Sequence, residues 1–240
     1  MVLIRQLTSA ERHDDAALDM DLITAIVPAL RPAGRFAVMV DGREAAVLSL
    51  DAIERLQLAV GCSVAGKGDA IELEVARLRT YDRASNLLAF RARSSAELAR
   101  SLARKGEEPL TIDWALSRLR EQGLVDDAAF ARAFTRARVV GGKQSRRRVE
   151  QELARRGVPR PVGSEAIDAV LEEEAVDERA IVMDAARKKL RSLAGLDPVV
   201  RRRRLYAYLA RRGYELDDIR EVMATLGPGA GADDGAGDAG

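Results

Sequence analysis

A chain of 240 residues with 39 Lys and Arg against 38 Asp and Glu has a net charge of +1, so it is no generic polycation, and any attraction to nucleic acid must come from how its charge is distributed. Charged residues make up 32% and aromatics 4%, a balance rich in Ala, Leu, Arg and Glu that favours helices over a large sheet. The one cysteine, Cys62, excludes an intramolecular disulfide and, with no His or Cys nearby, a metal site or redox pair; a cytoplasmic location fits, and no apolar run approaches a membrane span.

Residues 1–20 mix charges without periodicity and read as a disordered leader. Arg5 interrupts their apolar start, which is no signal peptide. His13, the only histidine, reads there as a solvent-exposed tail residue rather than an acid or base. Residues 21–69 read as a small α+β segment. Phe36–Val40 and Ala45–Ser49 flank Asp41-Gly42, a hairpin signal because both central positions of a type I′ turn need positive φ; no other β element is expected. Ala52–Leu58 reads as a helix with Ile53, Leu56 and Val60 on one side. In the connection that follows, Gly66-Lys67-Gly68 lacks the longer glycine frame and the Lys-Ser/Thr ending of a phosphate-binding loop and reads as a turn.

Three helical repeats follow, over 70–123, 124–175 and 176–226. The first has a helix from Ala70 to about Arg91 carrying Leu78, Tyr81, Leu87, Leu88 and Phe90. Ser94-Ser95-Ala96-Glu97 then forms a capping box that starts a helix to Lys105, stopped by Gly106. Thr111 or Asp113 starts the next helix, with Trp114 as a core anchor beside Leu116 and Leu119. In the second repeat Asp126 and Asp127 read as a cap and a dipole partner rather than a metal pair, ahead of Phe130 and Phe134. After the break at Gly141-Gly142, helices are expected over Ser145–Arg156 and Ser164–Glu174. The third repeat runs over Asp177–Ser192, restarts at the Asp197-Pro198 cap, and continues as Val199–Arg212 and Glu215–Leu226. Residues 227–240, almost wholly Gly, Ala, Asp and Pro, read as a disordered tail.

The repeat is written in one phrase: Leu102-Ala103-Arg104-Lys105-Gly106, Leu153-Ala154-Arg155-Arg156-Gly157 and Leu209-Ala210-Arg211-Arg212-Gly213. Its glycines lie 51 and then 56 residues apart. In that phase Leu98, Val149 and Leu205 coincide, as do Leu102, Leu153 and Leu209, then Leu116, Ile167 and Met223, and finally Leu119, Val170 and Leu226. Two faces therefore recur at helical spacing. The expected fold is mainly α: three tandem three-helix repeats in an elongated array behind a small segment containing a β-hairpin.

Catalytic chemistry is sparse, and neither an enzyme nor a cofactor or metal is expected. The acidic run Glu172-Glu173-Glu174 diverges by about 100 degrees per residue on a helix and reads as a solvated helix end. Binding chemistry is better represented. The candidate face takes Lys143, Arg146, Arg147, Arg148, Arg155 and Arg156 from the second repeat. From the third it takes Lys188 and Lys189, then Arg201, Arg202, Arg203 and Arg204, and lastly Arg211 and Arg212. Residues 187–212 hold ten cations against Asp197 alone, which is too one-sided for self-neutralisation. Tyr206, Tyr208 and Tyr214 lie among them; stacking on bases and filling gaps between short helices are both open.

Gly123-Leu124-Val125-Asp126-Asp127-Ala128-Ala129-Phe130-Ala131-Arg132-Ala133-Phe134, then Gly142, Glu152-Leu153-Ala154-Arg155-Arg156-Gly157-Val158 and Tyr208-Leu209-Ala210-Arg211-Arg212-Gly213-Tyr214, resemble the RecX family. Arg93-Ser94-Ser95-Ala96-Glu97-Leu98 precedes them, and the resemblance spans about Tyr81 to Leu226. It implies that the repeats form a curved array and that the chain is a non-enzymatic regulator of the recombinase RecA, acting in homologous recombination, DNA repair and the SOS response; a cytoplasmic monomer is expected. It implies binding within the RecA filament on single-stranded DNA and modulation, mostly inhibition, of its ATPase and strand exchange. The residues also leave open a DNA-binding protein acting without RecA and a helical adaptor for another acidic protein. One departure stands out: Glu107-Glu108 follows the first glycine where the other repeats have Val158 and Tyr214, so that junction is expected to pack differently and binding to concentrate in the second and third repeats.

Overall fold

A computed structural model describes residues 21–31, 34–141 and 144–226. The expected leader with His13, the expected tail, and Gly142 and Lys143 lie outside the described residues. The chain divides into two compact units, Met1–Arg91 with Ala99–Gln122, and Ala92–Leu98 with Gly123–Gly240.

The first unit opens with a three-stranded antiparallel sheet, β1 (Ile23–Pro28), β2 (Arg35–Val40) and β3 (Arg43–Ser49), in the order β1-β2-β3. The Asp-Gly hairpin forms as its chemistry requires, with Asp41 at φ 49° and Gly42 at φ 76°. The hairpin is not alone: β1 pairs Ile23 with Val40 and Pro28 with Phe36, a strand that the sequence does not announce. Ser49 caps α1 (Leu50–Arg55) by accepting from the Ala52 amide, so this helix starts two residues before Ala52. Ile53 and Leu58 are buried with Ile23, Val38 and Leu48, but Val60 is exposed, against expectation, because the chain has left the helix before reaching it.

Helix α2 (Gly68–Phe90) packs on β3 and on α4 (Pro109–Glu121). The start of α4 is Pro109 at N1, not Thr111 or Asp113, since proline's fixed φ and missing N–H suit the first helical position. Trp114 on α4 anchors the sheet core, partly buried against it under the Arg77 guanidinium at 5.8 Å. Glu107 departs from the repeat pattern in the expected place. Val158 and Tyr214 are buried there, and Glu107 is buried too, accepting from the Thr80 hydroxyl at 2.7 Å and pairing with Arg79 and Arg83. Burial alone would raise its carboxyl pKa, but the Thr80 hydrogen bond and the two guanidiniums outweigh this and hold it below its ordinary value.

Helix α3 (Ser95–Ala103) begins in the second unit and ends in the first. The second unit continues with α5 (Asp127–Arg136), a π-helical turn over Ala137–Gly141, α6 (Arg146–Arg156) and α7 (Arg160–Glu173). Helix α7 starts four residues ahead of Ser164, with Pro161 in its first turn. Asp126 caps α5 by accepting from the Ala128 and Ala129 amides, and Asp127 accepts from the Ser95 amide at 2.7 Å. Three helices close the unit, α8 (Glu178–Arg191), α9 (Pro198–Arg211) and α10 (Leu216–Thr225), with Asp177 and Asp197 as N-caps of α8 and α9.

The repeat frame is the core. Leu98, Val149 and Leu205 are all buried, as are Leu102, Leu153 and Leu209, and the two downstream triplets follow suit. Burial of each such leucine is worth about 1.5–3 kcal/mol. Gly106, Gly157 and Gly213 take φ of 80°, 82° and 79°, the left-handed conformation in which a helix ends and the chain turns.

Candidate partner-binding surface

The cations of the second repeat are largely turned to carboxylates. Arg146 reaches Asp168 at 2.6 Å and Glu150 at 3.2 Å; the Asp168 hydrogen bond outweighs desolvation and raises the pKa of the guanidinium. Arg148 binds Glu152 one turn along α6 at 3.0 Å. Arg156 meets Glu97 at 2.6 Å and lies 4.7 Å from the Phe134 ring centroid, with Arg138 over the same ring at 5.0 Å. Arg147 and Arg155 are exposed.

The third repeat disposes its cations differently. An open groove of about 1130 Å3 is lined by Arg187, Lys188, Lys189 and Arg191 of α8 and by Tyr208 and Arg212 of α9 and its C-cap. Among the described residues its one lining carboxylate is Asp184, which has a partner of its own. Lys189 lies 5.4 Å and Arg212 5.0 Å from the centroid of the Tyr208 ring, so the tyrosine anchors two cations at the groove wall. Arg187 and Arg191 were not among the candidates, although 184, 187, 188 and 191 share one helical face by their spacing.

Arg212 also lines a second, smaller cavity of about 330 Å3 with Arg148, Arg211 and Tyr214. Tyr214 itself is buried, which raises its hydroxyl pKa against a hydrogen bond from Arg212. Tyr208 is half-buried and Tyr206 exposed, so Tyr214 fills a gap while Tyr206 faces solvent. On α9 the four consecutive arginines separate. Arg201 and Arg202 border an apolar pocket with Leu190, Leu205, Met223 and Leu226, and Arg202 approaches the Met223 carbonyl at 3.5 Å. Arg203 and Arg204 are exposed. The structure thus brings Lys188, Lys189 and Arg212 together, and Arg148, Arg211 and Arg212, but not the whole candidate set.

Profiles of the three successive three-helix domains of RecX match residues 81–119, 126–167 and 177–223. The chain belongs to the RecX family. Among curated RecX relatives, each named a regulatory protein, that of Chlorobium phaeobacteroides is 34% identical over 60% of this chain and 91% of its own length. That of Halorhodospira halophila is 41% identical over 60% and 85%. A crystal structure of regulatory protein RecX superposes with TM-score 0.72 at 20% identity, covering 85% of this chain and 98% of the other, a likeness of fold. RecX from Lactobacillus salivarius gives 0.56 at 15% identity, over 63% and 96%. No described helix is long and apolar enough to cross a membrane.

Proposed function

We propose that this RecX family member regulates RecA by docking as a monomer on the RecA filament formed on single-stranded DNA in the cytoplasm, and that it acts by binding, not by catalysis. The observation that carries the reading is the third-repeat groove, where, among the described residues, five cations and a tyrosine line one open surface beside a single carboxylate. Such a surface suits a partner presenting protein acidity and DNA phosphates, and it steers association through complementary charge. Docking there lowers filament ATPase and strand exchange. The candidate face narrows accordingly to Lys188, Lys189 and Arg212 with Arg187 and Arg191, joined by Arg148 and Arg211 at the neighbouring cavity.

The test is DNA-dependent RecA ATPase measured while the protein is titrated at fixed ionic strength, beside binding to bare single-stranded oligonucleotide. Inhibition at amounts stoichiometric with the filament supports the reading. Tight binding to bare DNA with RecA turnover untouched would favour a DNA-binding protein acting alone.

A further inference from the structure

Two joints in the second unit are built to one plan. Ser94 and Ser145 lie 51 residues apart, in phase with Gly106 and Gly157. Each caps the middle helix of its repeat, accepting from an amide three residues on: Glu97 N at 3.1 Å and Arg148 N at 3.3 Å. Each also donates its hydroxyl proton to the carbonyl just before the glycine that ends the middle helix of the following repeat: Arg156 O at 2.6 Å and Arg212 O at 2.7 Å. One hydroxyl therefore satisfies an orphan donor at one helix end and an orphan acceptor at another, which neither an alanine nor a carboxylate can do. Space is tight at the second joint, since a Cβ on Gly213 would lie 3.2 Å from Ser145 Oγ and 3.6 Å from the Arg148 nitrogen.

The backbone plan is shared, but the charge is not. At the first joint the residue three after the serine is Glu97, and its carboxylate meets Arg156 at 2.6 Å. At the second joint the same position holds Arg148, which turns to Glu152, while Arg212 lies over Tyr208 and hydrogen-bonds the Tyr214 hydroxyl. Where the first joint supplies its own carboxylate, the second presents a third cation, Arg211, and an open cavity of about 330 Å3 between Arg148, Arg211 and Arg212.

We infer that the second joint is a carboxylate-binding site completed from outside, in which an acidic side chain of the protein partner takes the place that Glu97 fills at the first joint. A guanidinium fork suits a carboxylate in either setting, and the α6 N-terminus adds a favourable dipole for the incoming anion. This inference rests on the proposed RecA partner for the identity of the acidic side chain, but not for the existence of the site.

The decisive variant is Arg148→Glu, which rebuilds the first joint at the second and lets an internal carboxylate meet Arg212. Arg148→Glu/Glu152→Gln removes the new like-charge pair on α6 should the single variant fold poorly, and Arg132→Glu on exposed α5 surface matches the charge change elsewhere. Binding of a hexaglutamate peptide reads the site alone, and inhibition of the RecA filament reads it in place. The variant is expected to keep its melting temperature and to bind both about tenfold more weakly than Arg132→Glu does, while binding to a bare oligothymidylate falls no further than in that control. Equal peptide binding in the two folded variants would overturn the site. An oligothymidylate loss as large as the filament loss would overturn the carboxylate, making the ligand a DNA phosphate. Should wild-type protein leave RecA untouched, the partner falls and the peptide comparison alone decides the site.

Discussion

Arg156 and Arg212 stand at the same place in consecutive repeats, yet Arg156 is clasped by Glu97 and the Phe134 ring whereas Arg212 sits between an open groove and an open cavity. The same contrast runs through both repeats. Arg146 and Arg148 answer Asp168, Glu150 and Glu152, while Arg187, Lys188, Lys189 and Arg191 line a groove with Asp184 as its carboxylate. A repeat keeps its leucines because they make the frame, and its cations are left to serve either stability or recognition.

Large-to-small changes in the frame should cost both repeats alike. Leu153→Ala and Leu209→Ala, each at a fully buried side chain, are expected to lose about 2–5 kcal/mol apiece by urea denaturation; one variant unfolding at the wild-type midpoint would break the equivalence of the frames. The cations should then part company. Arg156→Ala removes the ion pair of the half-sheltered Glu97 carboxylate and is expected to cost about 1–3 kcal/mol, whereas Arg212→Ala, which gives up the Tyr208 face and a hydrogen bond to the Tyr214 hydroxyl but no ion pair, should cost about 0.5–1 kcal/mol and weaken partner binding as well. Equal stability losses would erase the distinction.

Two buried or half-buried glutamates sharpen the picture through pH, with opposite signs. The folded pKa of Glu107 is lowered, so its contribution is present above its unfolded pKa of about 4.3 and is lost as pH falls through the lower folded value. The melting gap between wild type and Glu107→Gln should therefore be full at pH 7 and close in strong acid; a gap constant with pH would contradict it. Glu178 is raised by desolvation and by Asp218, Asp168 and Glu150, against Arg146. Its protonated form favours the fold, a contribution present below the unfolded pKa and lost as pH rises through the folded one. Glu178→Gln should thus melt slightly higher than wild type at pH 7, and a lower melting temperature there would reverse the assignment. The smallest effect is on salt. Raising ionic strength should leave the melting temperature of the leucine frame nearly unchanged while weakening partner binding, because groove charges exposed to solvent are screened over about 8 Å at physiological salt.

Much of this was legible in the sequence because the repeat is local. A leucine phase of 51 and 56 residues, a capping residue (Ser94, Ser145 or Asp197) and a terminal glycine mark each middle helix without reference to distant chain. What was hidden depends on distant partners. Strand β1 owes its existence to pairing with β2 rather than to any alternation in Ile23–Pro28. The sequence marks Glu107 as a departure from the repeat, but not the Thr80, Arg79 and Arg83 of α2 that enclose it. The sorting of the arginines was equally out of reach, since Arg146 finds Asp168 and Arg156 finds Glu97 across 22 and 59 residues of sequence. Arg187 and Arg191 could have been added from spacing alone, sharing a helical face with Lys188.

Recognition is assigned to the groove of the third repeat and the cavity beside it, not to the cations Arg146 and Arg156 that the second repeat holds in ion pairs. The most direct measurement is inhibition of DNA-dependent RecA ATPase by Lys188→Glu/Lys189→Glu set beside Arg146→Ala, each confirmed folded by its melting curve. Loss of inhibition in the double variant, with inhibition by folded Arg146→Ala kept at the wild-type level, is the predicted result. Full inhibition by the double variant would contradict it.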